Sequence, residues 1–154
     1  MDTKTICQVG CLMSCTAMGL SGASINISNA TSADPASLNS WLRSHGGYDG
    51  SNDLFEEVVP QIDPSRVSWP PDGMHRTNDL AFDEACDFVR GGRVVVANVR
   101  DGGHFVLITG CGGDGDTFSV NDPGFMVDEY SFKDDVVGYR IYDMLRPPAG
   151  GDIK

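Results

Sequence analysis

Residues 93–122, RVVVANVRDGGHFVLITGCGGDGDTFSVND, carry the pattern that decides the fold. Apolar runs rich in β-branched and aromatic residues, Val94 to Val99, Phe105 to Ile108 and Phe118 to Val120, are broken by Asp101-Gly102-Gly103 and by the glycine-rich stretch Gly110 to Asp116. Short runs punctuated by Gly and Asp are hairpin signals, so this segment predicts consecutive antiparallel strands. Further along, Tyr139, Ile141 and Tyr142 predict another strand.

Upstream the reading is helical. Cys11 to Leu20 is small or apolar without a breaker and follows Gly10, which predicts a buried helix entered through a tight turn, with Cys11 in its first turn. Asp34 and Pro35 ahead of Leu38, Trp41 and Leu42 read as a cap and a first helical residue, with Gly46-Gly47 as the stop. Asn52 to Val59, ended by Pro60, and Asn78 to Arg90, capped by Asn78 or Asp79 and halted by Gly91-Gly92, are further helix candidates. Helices followed by antiparallel strands give an α+β domain whose helices cover one side of the sheet. With no repeat and only short Gly/Pro patches, one domain over residues 1–146 is expected, followed by a flexible tail over 147–154.

Charge and cysteine content narrow the function. Twenty-two Asp and Glu against eleven Lys and Arg leave a net charge of −11, which repels phosphate backbones and argues against nucleic acid as a partner. The longest apolar runs fall far short of the roughly 20 residues of a membrane-spanning helix. Met1 to Thr5 carries no secretory signal, so the chain as written reads as cytoplasmic. The glycosylation-type triplets Asn26-Ile27-Ser28 and Asn29-Ala30-Thr31 would matter only in a secreted or lysosome-like protein that has lost an N-terminal signal segment. Five cysteines are odd in number and too sparse for a disulfide framework.

The same hairpins suggest chemistry. With Gly113 at the tip, His104 lies nine residues before it and Asp122 nine after, so the two fall opposite each other on the ladder. Directly opposed side chains on one face are close enough for a carboxylate to accept an imidazole N–H, whereas a one-residue bulge would put them on opposite faces. An oriented base needs a nucleophile, and Cys11 at a helix N-terminus is the candidate, because the helix dipole and a neighbouring imidazolium both favour the thiolate. Cys7 is a rival. Cys15, one turn further on, reads as core packing. The four-residue spacing of Cys7, Cys11 and Cys15 does not suit structural zinc, and no metal or cofactor is expected. His45 and His75 sit in loops without triad partners, and Asp128-Glu129 and Asp134-Asp135 read as solvated surface that would favour basic substrates.

Gly10-Cys11-Leu12-Met13-Ser14-Cys15, Leu38 to Leu42 with Gly46-Gly47-Tyr48, Gly103-His104-Phe105 to Gly110, and Val120-Asn121-Asp122-Pro123-Gly124 together resemble papain-fold cysteine peptidases of the bacteriocin-processing, double-glycine branch. The resemblance runs over about residues 5 to 143, with its blocks in the same order. It implies a papain-like fold, Cys11 as nucleophile, His104 as general base and acid, and Asp122 as the residue that orients the imidazole. It implies a thiol hydrolase that cleaves a peptide or amide bond of a peptide or protein substrate through a thioester. Relatives place an oxyanion-hole Gln several residues before the nucleophile. Here Gln8 stands three residues upstream and is the candidate for that role. This departure keeps open an alternative, a binding or regulatory module that retains the fold without turnover.

Overall fold

Val94, Val95, Val96 and Ala97 are all buried, and four consecutive buried strand residues require cover on both faces of a sheet. The computed structural model, described here for residues 10–27, 32–51 and 53–146, supplies that cover. Among the described residues three helices precede the main strands: α1 (Cys11–Gly22), α2 (Pro35–Ser44) and α3 (Phe82–Arg90). A 3-10 turn (Glu56–Ile62) and two short strands, β1 (Val67–Ser68) and β2 (Met74–His75), lie between α2 and α3. Then come β3 (Val94–Val99), β4 (His104–Cys111), β5 (Thr117–Asn121), β6 (Glu129–Ser131), the short α4 (Phe132–Asp135) and β7 (Gly138–Met144). The seven strands form one antiparallel sheet in the order β1-β7-β3-β4-β5-β6, with β2 also paired to β7. No helix among the described residues is long and apolar enough to cross a membrane.

The expectation that helices cover one side of the sheet is incorrect. Leu12, Met13, Cys15 and Leu20 of α1 and Leu38 and Leu42 of α2 pack with Val94 and Val96 on one face. On the other face, Ala85 and Cys86 of α3 pack with Val95, Ala97, Val99, Val106 and Phe118. Alternation along β3 sends successive side chains to opposite faces, so its unbroken apolar run needs both covers. Gly19 permits the close approach of α1 to β3, because a Cβ there would lie 2.7 Å from Val94 Cγ1.

Local signals set some boundaries and long-range contacts set others. Asp34 Oδ1 accepts from Ser37 N–H at 2.8 Å and Pro35 opens α2, as expected. Asn78 and Asp79 do not cap α3, which begins at Phe82; Glu84 instead accepts from Ala81 N–H at 2.9 Å. Asn78 is drawn into tertiary bonds, donating to the Phe132 carbonyl and accepting from the Tyr139 hydroxyl. The candidate over Asn52 to Val59 is a 3-10 turn that begins at Glu56 and runs past Pro60. Cys7, Gln8, the Asn29 triplet and the tail over 147–154 lie outside the described residues.

Cys86 on α3 and Cys111 at the end of β4 form a disulfide that sequence reasoning had not paired, with Cα atoms 6.1 Å apart. It fastens the helix to the sheet across 25 residues of chain. A crosslink over a loop of that length removes denatured-state freedom corresponding to about 3 kcal/mol. Replacing both cysteines by Ala is therefore expected to lower the calorimetric melting temperature by about 6–12 °C in a domain of this size. An unchanged melting temperature would show that the bond adds no constraint.

Candidate active site

The nucleophile candidate sits where the chain enters α1. The Gly10 carbonyl accepts from Ser14 N–H at 2.7 Å, which makes Cys11 the first residue of the helix. The first turn of a helix presents N–H groups that have no intrahelical acceptor, and its positive end favours an anion. Cys11 Sγ faces His104 and lies 3.0 Å from Nδ1. On the other side of the ring, Nε2 is 2.7 Å from Asp122 Oδ1. An ionised carboxylate only accepts, so Nε2 carries the proton and Nδ1 is turned to the sulfur. Cys11, His104 and Asp122, 93 and 18 residues apart along the chain, thus meet in one line.

The register that joins His104 to Asp122 differs from the one predicted. Gly112 N–H donates to the Thr117 carbonyl, so the hairpin tip falls between Asp114 and Gly115 and not at Gly113. That displacement alone would advance the pairing by three residues. A bulge at Thr109, between the pairs Ile108 with Val120 and Gly110 with Ser119, takes one back. The net shift is two, and a shift of two preserves the face. Continuing from the pair Leu107 with Asn121 puts Asp122 beside Val106 and Gly124 beside His104. The His–Asp contact is therefore diagonal, a separation that longer side chains still bridge.

Asp122 has no exposed side-chain surface, and four donors serve its carboxylate. Oδ1 accepts from His104 Nε2 and from the N–H groups of Gly124 and Phe125, both at 2.9 Å. Oδ2 accepts from the Tyr130 hydroxyl at 2.6 Å. Burial works against ionisation, but the hydrogen bonds from Tyr130, Gly124, His104 and Phe125 outweigh it and hold the carboxyl below its ordinary value. Gly124 is tight against the imidazole: a Cβ there would lie 3.0 Å from His104 Cε1. Phe125 meets the ring edge-on, with centroids 5.0 Å apart, and the Arg100 guanidinium lies 3.8 Å over the Phe125 ring. Tyr130, Arg100 and Phe125 had no place in the sequence reading. Only Asp122-Pro123-Gly124 carried a signal, that of a turn following the carboxylate.

Cys15 is buried on the same helix, and its thiol is pushed well above its ordinary value, first by burial and then by the negative charge of Cys11 and Asp122. It packs in the core, as its position one turn after Cys11 suggested. His45 bonds to the Trp41 carbonyl and Ser44, and His75 to Asp79 and the Asp72 carbonyl, so neither joins the Cys11 cluster. A cavity of about 470 Å³ opens beside Leu12 and Met13, which follow Cys11, and beside Phe105, which follows His104. Asp49, Asp53 and Glu57 line it with Arg76, while Arg140 is paired to Glu56 at 3.1 Å.

The chain matches no family model, and neither a curated protein nor a solved structure matches it.

The sign of the Asp122 effect gives a measurable consequence. A carboxyl with a depressed native value contributes stability above its unfolded value, near about 3.9, and that contribution is lost as pH falls through the native value. The melting temperature of Asp122→Asn is therefore expected to lie below that of the wild type at pH 6, with the gap narrowing below about pH 4. A gap that stays constant from pH 7 to pH 3 would show that ionisation of Asp122 is not linked to folding.

Proposed function

We propose that the protein is a cysteine-dependent hydrolase of papain-like fold that cleaves a peptide or amide bond through Cys11, His104 and Asp122. The observation that carries this reading is the 3.0 Å separation of Cys11 Sγ and His104 Nδ1, with the opposite ring nitrogen held by a buried carboxylate. A nucleophile at the start of a helix, with its base at the start of one strand and its orienting acid just after the neighbouring antiparallel strand, is the arrangement the resemblance to papain-fold peptidases implies. The chemistry uses these groups in sequence. The thiol proton passes to Nδ1, and the thiolate adds to the substrate carbonyl carbon. The resulting oxyanion is stabilised by N–H groups at the start of α1. The imidazolium then protonates the leaving nitrogen, the C–N bond breaks, and a thioester remains on Cys11. His104 next takes a proton from water, the hydroxide attacks the thioester, and release of the acid restores the thiol.

Peptide substrate is assigned to the cavity lined by Leu12, Met13 and Phe105, the residues that directly follow Cys11 and His104 in the chain. The Cys86–Cys111 bond favours an oxidising compartment as the place of work over the cytoplasm.

The test is thiol reactivity followed by turnover. Iodoacetamide near pH 6 is expected to label Cys11 selectively, and His104→Ala is expected to abolish the selectivity. Against a mixed peptide library, the wild type should generate new termini visible by mass spectrometry and Cys11→Ala should generate none. Slow labelling without preference for Cys11, together with no cleavage, would replace the hydrolase by a binding module that keeps the fold.

A further inference from the structure

Arg100 and Asp101, at the turn between β3 and β4, have φ of 52° and 56°, and Gly102 follows at 90°. Two non-glycine residues in succession in the left-handed region are costly, and such strain persists where surrounding contacts hold it. The contacts here belong to the Arg100 side chain. Its Nε donates to the Tyr130 hydroxyl at 3.1 Å, and its guanidinium covers the Phe125 ring at 3.8 Å. Tyr130 in turn donates to Asp122 Oδ2, and Phe125 packs its ring against His104. This strained turn therefore reaches both the acid and the imidazole through intermediaries.

We propose that Tyr130 and Arg100 are positioning residues that lock the Asp122 carboxylate in the orientation that serves His104, an inference that rests on the hydrolase reading above. The argument is geometric. The carboxylate has no exposed surface, and Oδ1 is already occupied by His104 and two backbone N–H groups. Tyr130 is the donor at Oδ2, and an anionic oxygen left unserved in a buried site carries a large desolvation penalty. The tyrosine hydroxyl has one proton to give. Arg100 can only donate, so its bond occupies a lone pair of that hydroxyl and leaves the proton directed at Asp122. The titratable and charged groups around the carboxylate come from four elements: His104 on β4, Tyr130 on β6, Arg100 from the turn before β4, and Cys11 and Cys15 on α1. The ring of Tyr130 belongs to the core of the second face, so packing accounts for the ring and leaves the hydroxyl to be explained by Asp122.

Tyr130→Phe separates the two, since it keeps the ring and removes the donor. The experiment follows the rate of Cys11 alkylation by iodoacetamide from pH 4 to pH 9, located by peptide mapping, with the His104 Nε2 proton observed by NMR on the same samples. Tyr130→Phe is expected to slow alkylation at pH 6 by about tenfold, to move the acid limb to higher pH, and to broaden or shift the His104 proton signal. Arg100→Leu, at an exposed residue, is expected to move all three in the same direction by a smaller factor. If Tyr130→Phe fails to fold, Arg100→Leu decides. Alkylation profiles and an Nε2 signal superimposable on those of the wild type would overturn the proposal while leaving the hydrolase standing. Absence of selective Cys11 labelling in the wild type would instead remove the hydrolase reading. The NMR signal would then still report whether Tyr130 positions the His–Asp pair.

Discussion

A carboxylate with no exposed surface survives as an anion only if the protein supplies its solvation, and that requirement organises one end of this sheet. Asp122 draws the chain after β5 into a tight turn so that two successive N–H groups reach Oδ1. It sets Tyr130 of β6 beside Oδ2, and it leaves His104 to complete the set. The imidazole is thereby fixed by a charge that cannot relax into solvent, and its opposite nitrogen is delivered to the start of α1. A Cβ on Gly124 would crowd that ring, so the absence of a side chain there belongs to the same construction.

Two covers on one sheet make this possible. α1 lies on the face opposite α3, yet its first residue reaches His104 at the end of β4. The close approach of α1 to β3 at Gly19 brings the helix down onto the sheet, and the disulfide ties α3 to the far end of the strand that begins with His104. The acid-bearing network and the nucleophile are thus supported by separate cores that share β3 and β4.

What could be read in the sequence follows the range of the interactions. The start of α2 was legible because Asp34 and Pro35 act within a single turn. The start of α3 was not, because the amide of Asn78 is committed to Phe132 and Tyr139, more than fifty residues away. Strands β1 and β2 have two residues each, too few to show a period. Cys11, His104 and Asp122 were legible through residue type, order and the strand pattern, even though the assumed tip of the hairpin was wrong. Their support was not. Tyr130 stands beside Asp128-Glu129 in a three-residue strand that reads as solvated surface, and Arg100 acts through a backbone conformation that Asp-Gly-Gly does not announce for the residue before it. The cysteine count, odd and sparse, gave no reason to join Cys86 to Cys111, because the pairing depends on α3 crossing the second face of the sheet.

The bulge at Thr109 also determines where along this hairpin the length of the chain is free to drift. Adding or removing a single residue within the paired parts of β4 or β5 would turn one partner of the His104–Asp122 contact through the sheet to its far side. The exposed apex from Gly113 to Gly115 bears no such parity, since the closing bond from Gly112 to Thr117 fixes both arms whatever spans them. Evolution or an engineer can lengthen the hairpin there, by one residue or by many, and find the sulfur, imidazole and carboxylate still aligned.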